Sequence, residues 1–266
     1  VPENGSALAG VVLAAGAGSR LRPLTDVRPK PLCTVGTRPL LDVALERLQP
    51  YVGEVAVNVH HHPGQMLAAL ADRPVLVSHE EDAALGTAGA LGRLRGWLDG
   101  RAVLVTNADA WYPPAEAAEV VADLVRGWDG ERARLLCRRA DGAGDFGDLR
   151  YVGTALLPWT SVRGLAPEPT GLYEVSWARL HETGGLDLVR TDLPAVDCGT
   201  PADYLRANMT ASGGRPVVED GAVVEGELVR SVVWAGEVVA AGERLVDAVR
   251  AAGVTLRPTG ATGPAR

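Results

Sequence analysis

Lysine is nearly missing from this chain: of 26 basic residues one is lysine, Lys30, and the other 25 are arginine. The basic residues are outnumbered by 33 carboxylates, for a net charge of −7. With neither a basic excess nor a basic stripe, no nucleic-acid partner is expected. No apolar run approaches the roughly 18 residues of a membrane span, so no membrane partner is expected either. Residues Val1–Ala9 lack the basic start and apolar core of a secretion signal. Cysteine is scarce as well. Cys33, Cys137 and Cys198 are odd in number and far apart, which excludes a disulfide framework and metal-type spacing and makes a reduced, cytoplasmic setting the expectation. The hydrophobic fraction of 47% and charged fraction of 22% then exclude a disordered or fibrous chain.

A length of 266 residues allows one large domain, or one domain with an appendage. The first half alternates two patterns. Leu8–Ala15, Glu54–Val59, Pro74–Val77, Ala102–Thr106 and Ala133–Cys137 read as strands. Arg38–Leu48, Gln65–Leu70, Ala88–Leu98 and Ala115–Arg126 read as helices, with Pro39 in the first turn of its helix. This rhythm predicts an α/β fold: a Rossmann-like, mostly parallel mixed sheet covered on both faces. After residue 140 it loosens. Leu149–Leu157 reads as a strand, Gly164–Thr170 as a loop, and Leu172–Leu180 and Pro201–Ala211 as helices, the last capped by Thr200.

The texture changes again near Pro216. Val217, Val223 and Val229 are spaced by six, as are Val233, Val239 and Leu245. Either hexapeptide coils of a short β-helix or a β-meander satisfies this pattern. The expected division is a main domain over 1–214, a β tail over 215–257 and a disordered end over 258–266. Two coils cannot bury their own valines, so the tail is expected to pack on the main domain or on another subunit and to serve assembly rather than chemistry, as in a homodimer.

The chemistry-bearing segment follows the first strand: Leu13-Ala14-Ala15-Gly16-Ala17-Gly18-Ser19-Arg20-Leu21-Arg22-Pro23. Glycines there let the backbone approach a ligand and turn its N–H groups inward as an anion nest. Arg20 adds a bidentate donor suited to phosphate. Ten residues on, Lys30 is framed in Pro29-Lys30-Pro31. In a chain that otherwise uses arginine, a surviving lysine marks a place where a compact ammonium is needed and a planar fork does not serve. The pattern is not a P-loop, because G-x-x-x-x-G-K-[ST] is absent. It is not a dinucleotide fingerprint, because position 21 is leucine and no helix is expected there.

This segment resembles the opening motif of the sugar-1-phosphate nucleotidyltransferases, the enzymes that make NDP-sugars. Leu85-Gly86-Thr87-Ala88-Gly89-Ala90 is similar to that family's base-binding segment. Asn107-Ala108-Asp109-Ala110-Trp111 resembles its first metal-binding segment, and Asp197-Cys198-Gly199-Thr200-Pro201 its D-x-G-T-P. The resemblance covers residues 8–212 and implies the nucleotide-diphospho-sugar transferase fold. It implies an NTP, with GTP or UTP favoured, and a sugar-1-phosphate as substrates, with Mg²⁺ as cofactor. Arg20, Lys30 and Asp109 are the implied catalytic residues, and Asp109 and Asp197 the metal ligands. Leu13, Ala14, Ala15, Gly16, Gly18, Ser19, Arg20, Lys30, Glu81, Gly86, Thr87 and Asn107 would bind nucleotide; Trp111, Gly153 and Glu174 would bind the sugar phosphate.

Two types within the family compete. The tail is similar to that of mannose-1-phosphate guanylyltransferases, and the short second half to that of N-acetylmuramate-1-phosphate uridylyltransferases. The second lysine that many members carry is absent, with Arg163 and Arg179 as candidate replacements, and Val152 stands where an asparagine is usual. An unusual sugar phosphate or a cyclitol phosphate therefore stays open as acceptor. A silent nucleotide-sugar-binding homologue and a cytidylyltransferase for a non-sugar phosphate are the readings from outside this reaction. His60-His61-His62 reads as a loop with no metal, since three adjacent residues cannot all face one ion from a strand end.

Overall fold

A computed structural model describes residues 8–258. The end expected to be disordered lies outside the described residues from residue 259 on. The first buried run forms β1 (Ala9–Leu13). The chain then passes through a 3-10 turn at Ser19–Leu21, α1 (Leu24–Val27) and a second 3-10 turn at Lys30–Leu32. The turn at Leu21, where no helix is expected, is closed by the Leu21 N–H on the Gly18 carbonyl at 2.8 Å. Next come β2 (Thr34–Val35), β3 (Arg38–Pro39) and α2 (Leu40–Leu48). Pro39 stands one place before the helix rather than within its first turn, because Arg38 and Pro39 pair with Val35 and Thr34.

The alternation continues through β4 (Glu54–Val59), α3 (Pro63–Leu70), β5 (Val75–His79), α4 (Gly86–Leu98), β6 (Val103–Asn107) and β7 (Ala110–Trp111). After α5 (Pro114–Val125) and β8 (Ala133–Arg139) comes β9 (Leu149–Leu157), with its expected bounds. A short α6 (Trp159–Val162) and a π-helical turn at Tyr173–Trp177 lead into α7 (Ala178–Glu182). β10 (Leu186–Arg190), β11 (Val196–Asp197) and α8 (Pro201–Ser212) close the main domain. Thr200 caps α8, its hydroxyl accepting the Asp203 N–H at 3.2 Å.

Seven strands form one sheet in the order β10-β8-β9-β6-β1-β4-β5. Neighbours run parallel except where β9 pairs with β6 and β8. Alternate residues face opposite sides. Val12, Val57 and Leu104 pack under α2, α3 and α5, whereas Val11, Ala56 and Val105 pack under α4 and Trp177. The α2 helix buries Leu41, Leu45 and Leu48, a stripe at helical spacing. Each such leucine contributes about 2 kcal/mol, and truncating Leu45 to alanine would cost about 2–5 kcal/mol. Register fixes the functional edge: Leu13 lies opposite Asn58 of β4 on one side and opposite Asn107 of β6 on the other.

The tail is a β-helix of two coils. β12 (Val217–Val218), β13 (Val223–Val224) and β14 (Glu227–Val229) make the first coil. β15 (Val232–Val233), β16 (Val238–Val239) and β17 (Arg244–Val246) make the second. They stack in parallel, and β18 (Val249–Ala251) begins a further turn that closes as a hairpin with β19 (Val254–Leu256). The inner row of the second coil is Val233, Val239 and Leu245, as its spacing predicts. In the first coil the partners of that row are Val218, Val224 and Leu228, one place off the predicted Val217, Val223 and Val229. Val217, Val232 and Val249 instead face the main domain, in one cluster with Leu21, Leu24, Cys33, Tyr204 and Leu205. These three valines find cover on the main domain, whereas Val218, Val223, Val224 and Val238 stay exposed.

Candidate active site

A cleft of about 300 Å³ opens at the carboxyl edge of the sheet. One wall is the glycine loop. Leu13, Ala14, Ala15, Gly16, Gly18, Ser19 and Arg20 all line it, with Lys30 and Pro31 below. Gly18 has φ +60°, a conformation that favours glycine. An added Cβ there would lie 2.9 Å from Thr25 Cγ2 and 3.2 Å from Lys30 Cβ. The missing side chain leaves a narrow slot for the lysine stem, and the Thr25 hydroxyl donates to the Gly18 carbonyl at 3.0 Å to hold that turn.

The opposite wall includes Gly86 and Thr87. Gly86 and Gly89 admit a crossing segment: a Cβ on Gly86 would sit 2.5 Å from the Thr170 carbonyl oxygen, and one on Gly89 2.1 Å from that of Glu168. Two buried polar residues tie the walls together: Asn58, which sequence reasoning did not assign, and Glu80, which with Glu81 is on sequence a candidate acceptor for a guanine base. Asn58 accepts the Ala14 N–H at 2.7 Å and donates to Glu80 Oε1 at 2.8 Å, and Glu80 Oε2 accepts the Leu85 N–H at 2.8 Å. Each Glu80 oxygen holds a protein donor, and the residue is 1% exposed and does not line the cleft. The signal for Asn58 was an amide inside an otherwise apolar strand.

At the floor, three residues that are far apart in sequence converge. The Lys30 ammonium, 8% exposed, lies 2.5 Å from Asp109 Oδ2 and 3.4 Å from Asp197 Oδ1. Arg20 reaches Asp197 Oδ2 at 3.4 Å. The aspartates are brought together by β7 and β11, which pair Ala110 with Asp197, and by the Cys198 N–H donating to the Asp109 carbonyl at 3.1 Å. Burial acts to lower the Lys30 pKa, but the Asp109 and Asp197 carboxylates outweigh it and hold the ammonium above its ordinary value. Burial pushes the Cys198 thiol well up and the Cys33 thiol up to about 12, so neither supplies a nucleophile.

The donor set fits Mg²⁺. Asp109 and Asp197 both reach the Lys30 ammonium beside an open cleft, and Mg²⁺ is commonly held by one or two carboxylates plus phosphate oxygens. Among the described residues no group of three or more His, Cys, Asp or Glu exists that would make an all-protein cage.

Not every predicted residue reaches the cleft. Asn107 and Asp109 line it. Gly153 lies at its margin: a Cβ there would meet Ala110 Cβ at 2.6 Å and Asn107 Cβ at 3.4 Å. Glu81 does not line it; its side chain is 78% exposed and near His79. Trp111, expected at the sugar phosphate, is 3% exposed and packs in the core with Leu40, Val43 and Met209, on β7 after the turn that carries Asp109. Glu174 is exposed, with its carboxylate against Gly171. Arg163 and Arg179 are exposed outside the cleft. The three histidines diverge: His60 bonds the Glu80 carbonyl and His62 the Thr25 carbonyl.

Beneath the floor lies Arg47, which sequence reasoning did not single out. It donates to Thr106 Oγ1 and to the Ala110 carbonyl, each at 2.6 Å, and stacks 4.0 Å from the Tyr112 ring centroid. Burial lowers its pKa. By gripping Ala110 it steadies the turn that carries Asp109.

A mostly parallel sheet with an anion-binding glycine loop at its carboxyl edge defines a nucleotide-binding α/β protein. More particularly, the chain belongs to the MobA-like NTP transferase domain family, whose model matches residues 10–259. It is 34% identical over 171 residues to the N-acetylmuramate alpha-1-phosphate uridylyltransferase of Caulobacter vibrioides, covering 59% of this chain and 70% of that one. It is 35% identical over 120 residues to a mannose-1-phosphate guanyltransferase of Debaryomyces hansenii, covering 41% of this chain and 33% of that one. A solved structure from Thermus thermophilus, named as a mannose-1-phosphate geranyltransferase, superposes with a TM-score of 0.69 over 94% of each chain at 17% identity, a likeness of fold alone.

Proposed function

We propose that this chain transfers a nucleotidyl group from an NTP to a sugar-1-phosphate, releasing pyrophosphate and an NDP-sugar. The observation that carries the reading is Lys30, held between Asp109 and Asp197 at the floor of a glycine-loop cleft. An oxygen of the sugar-1-phosphate attacks the α-phosphorus. The new P–O bond forms there as the bond from the α-phosphorus to the bridging oxygen breaks, and pyrophosphate leaves with the electron pair. The attacking phosphate is already ionised at neutral pH, so no general base is required.

The residues have separate tasks in this reading. The loop amides and Arg20 bind the β- and γ-phosphates. Lys30 neutralises charge developing at the α-phosphoryl oxygens, where a fixed cation in a partly desolvated site acts most strongly. Asp109 and Asp197 hold Mg²⁺, which when bound offsets the repulsion between the two anionic substrates. Asn107 and Gly153 place the acceptor edge beside Asp109. Catalysis is then positioning and charge stabilisation.

GTP with mannose-1-phosphate and UTP with an amino-sugar phosphate are the favoured substrate pairs, each supported by one of the relatives named above. Pyrophosphate release would be followed with each NTP against mannose-1-phosphate, N-acetylmuramate-1-phosphate and a cyclitol phosphate. Release that needs both an NTP and a sugar phosphate is the expected result. Binding of nucleotide sugar with no release from any pair would show a silent homologue instead.

A further inference from the structure

The Lys30 segment is clamped from both ends by one carboxylate of the tail. Arg28 lies two residues before Lys30 and Thr34 four after. Arg28 donates from Nη1 to Glu219 Oε1 at 2.7 Å and from Nη2 to Oε2 at 2.9 Å, and the Thr34 hydroxyl donates to Oε1 at 2.6 Å. The Ala235 N–H, in the second coil, completes the set at 2.9 Å from Oε2. The pair is largely withdrawn from water, with side-chain exposures of 23% for Arg28 and 12% for Glu219. The Arg28 guanidinium also lies 3.9 Å over the Trp234 ring, whose indole N–H donates to the Tyr204 hydroxyl at 2.9 Å. From α8, buried Asn208 accepts the Gly36 N–H at 2.9 Å and donates to the Thr34 carbonyl at 3.3 Å.

This is more than a domain seam needs. A bidentate arginine–carboxylate pair fixes orientation as well as distance, and here its arginine belongs to the strand of chain whose next side chain but one is the buried ammonium of the cleft. The hydrophobic contact between tail and main domain, through Val217, Val232 and Val249, needs none of these polar groups.

We infer that the C-terminal coils act within the chain as a brace for the active site, with Glu219 as a positioning residue that acts on Lys30 through Arg28 and Thr34. The inference rests on the reading of Lys30 as the group that stabilises the reacting phosphate. It gives the tail a task beside the assembly expected from its sequence.

The test uses the full chain with Glu219→Ala, Glu219→Gln and Thr34→Val. The control is Glu227→Gln, which breaks an exposed ion pair with Arg244 on the tail's own surface. Two quantities are read well below each variant's unfolding midpoint: hydrogen exchange at the amides of Leu32 and Cys33, and kcat with KM for the NTP. Misplacing a charged group by a fraction of an ångström lowers turnover more than binding, so Glu219→Ala is expected to lower kcat about tenfold, with KM moved less than about threefold. Exchange at Leu32 and Cys33 should quicken, and Glu219→Gln should fall between it and the parent. The control should leave both readouts unchanged. If Glu219→Ala does not fold, Thr34→Val, which removes one of the four contacts, carries the test with a smaller shift in the same direction. A variant that melts earlier but keeps the parent's exchange at Leu32 and Cys33 and its kcat overturns the brace. Quickened exchange together with full activity in a Lys30→Ala variant would leave the brace standing and refute the role given to Lys30.

Discussion

The glycine-loop half of the molecule and the acceptor half share one sheet but are built to different standards. In the first, the backbone around the cleft is held by buried side chains, Ala14 by Asn58, Leu85 by Glu80 and Gly18 by Thr25, and buried Lys30 is held by two part-exposed carboxylates. In the second, Tyr173, Val175, Glu174, Arg163 and Arg179 are exposed, and order comes chiefly from ring contacts such as Tyr151 with Trp177 at 4.9 Å. Triphosphate chemistry demands fixed charges, and a preorganised site pays their ordering before the substrate arrives. The looser half is where the choice of acceptor resides in this account.

Substitutions should divide along the same line. Asp109→Asn and Asp197→Asn should have the largest effect, abolishing Mg²⁺-dependent turnover while NTP binding through the loop survives in part; a titration of NTP against each variant, beside its pyrophosphate release, checks both. Next comes Glu80→Gln. Its carboxylate ties the two walls, so the variant should raise KM for the NTP and lower stability by about 1–3 kcal/mol, read from steady-state kinetics and denaturant unfolding.

A pH effect follows from Glu219. Although burial acts to raise it, the Arg28 pair and the Thr34 and Ala235 hydrogen bonds hold its carboxyl below the ordinary value of 4.5. A lowered folded pKa gives stability that is present above the unfolded value and lost as pH falls through the folded one. The gap in melting temperature between the parent and Glu219→Gln should therefore be widest near neutrality and shrink below about pH 4.5. Smallest of all should be Arg163→Ala and Arg179→Ala. These should change KM for the sugar phosphate by no more than a few-fold and leave KM for the NTP untouched, because neither touches the cleft. A large effect on NTP binding from either arginine would break the comparison of the two halves.

How much of this was legible depended on sequence distance. Glu54–Val59 follows from local alternation and the end of Leu149–Leu157 from Pro158, and both strands form as expected. The glycine loop was readable because a strand, glycines and a proline-framed lysine stand within about twenty residues of each other. What escaped was set by register and by distant packing. Asn58 meets Ala14 only because β4 lies beside β1 with Leu13 opposite Asn58. Trp111 belongs to a motif that reaches the cleft, yet its ring packs among Leu40, Val43 and Met209, residues far from it in sequence. In the first coil the six-residue spacing of Val217, Val223 and Val229 marks no single buried row: Val217 is buried against the main domain while Val223 is exposed, a difference set by distant packing. The clamp on Lys30 joins residues 191 positions apart, and no local pattern announces such a pair.

The central claim is that the site needs a compact ammonium at position 30, in a slot shaped by Gly18 and closed by two carboxylates. Lys30→Arg keeps the charge and changes its shape, so a single-turnover measurement on that variant is the most direct test. The account predicts NTP affinity within a few-fold of the parent and a rate of pyrophosphate formation lower by about 100-fold or more. An arginine variant that forms pyrophosphate at the parent's rate would contradict it.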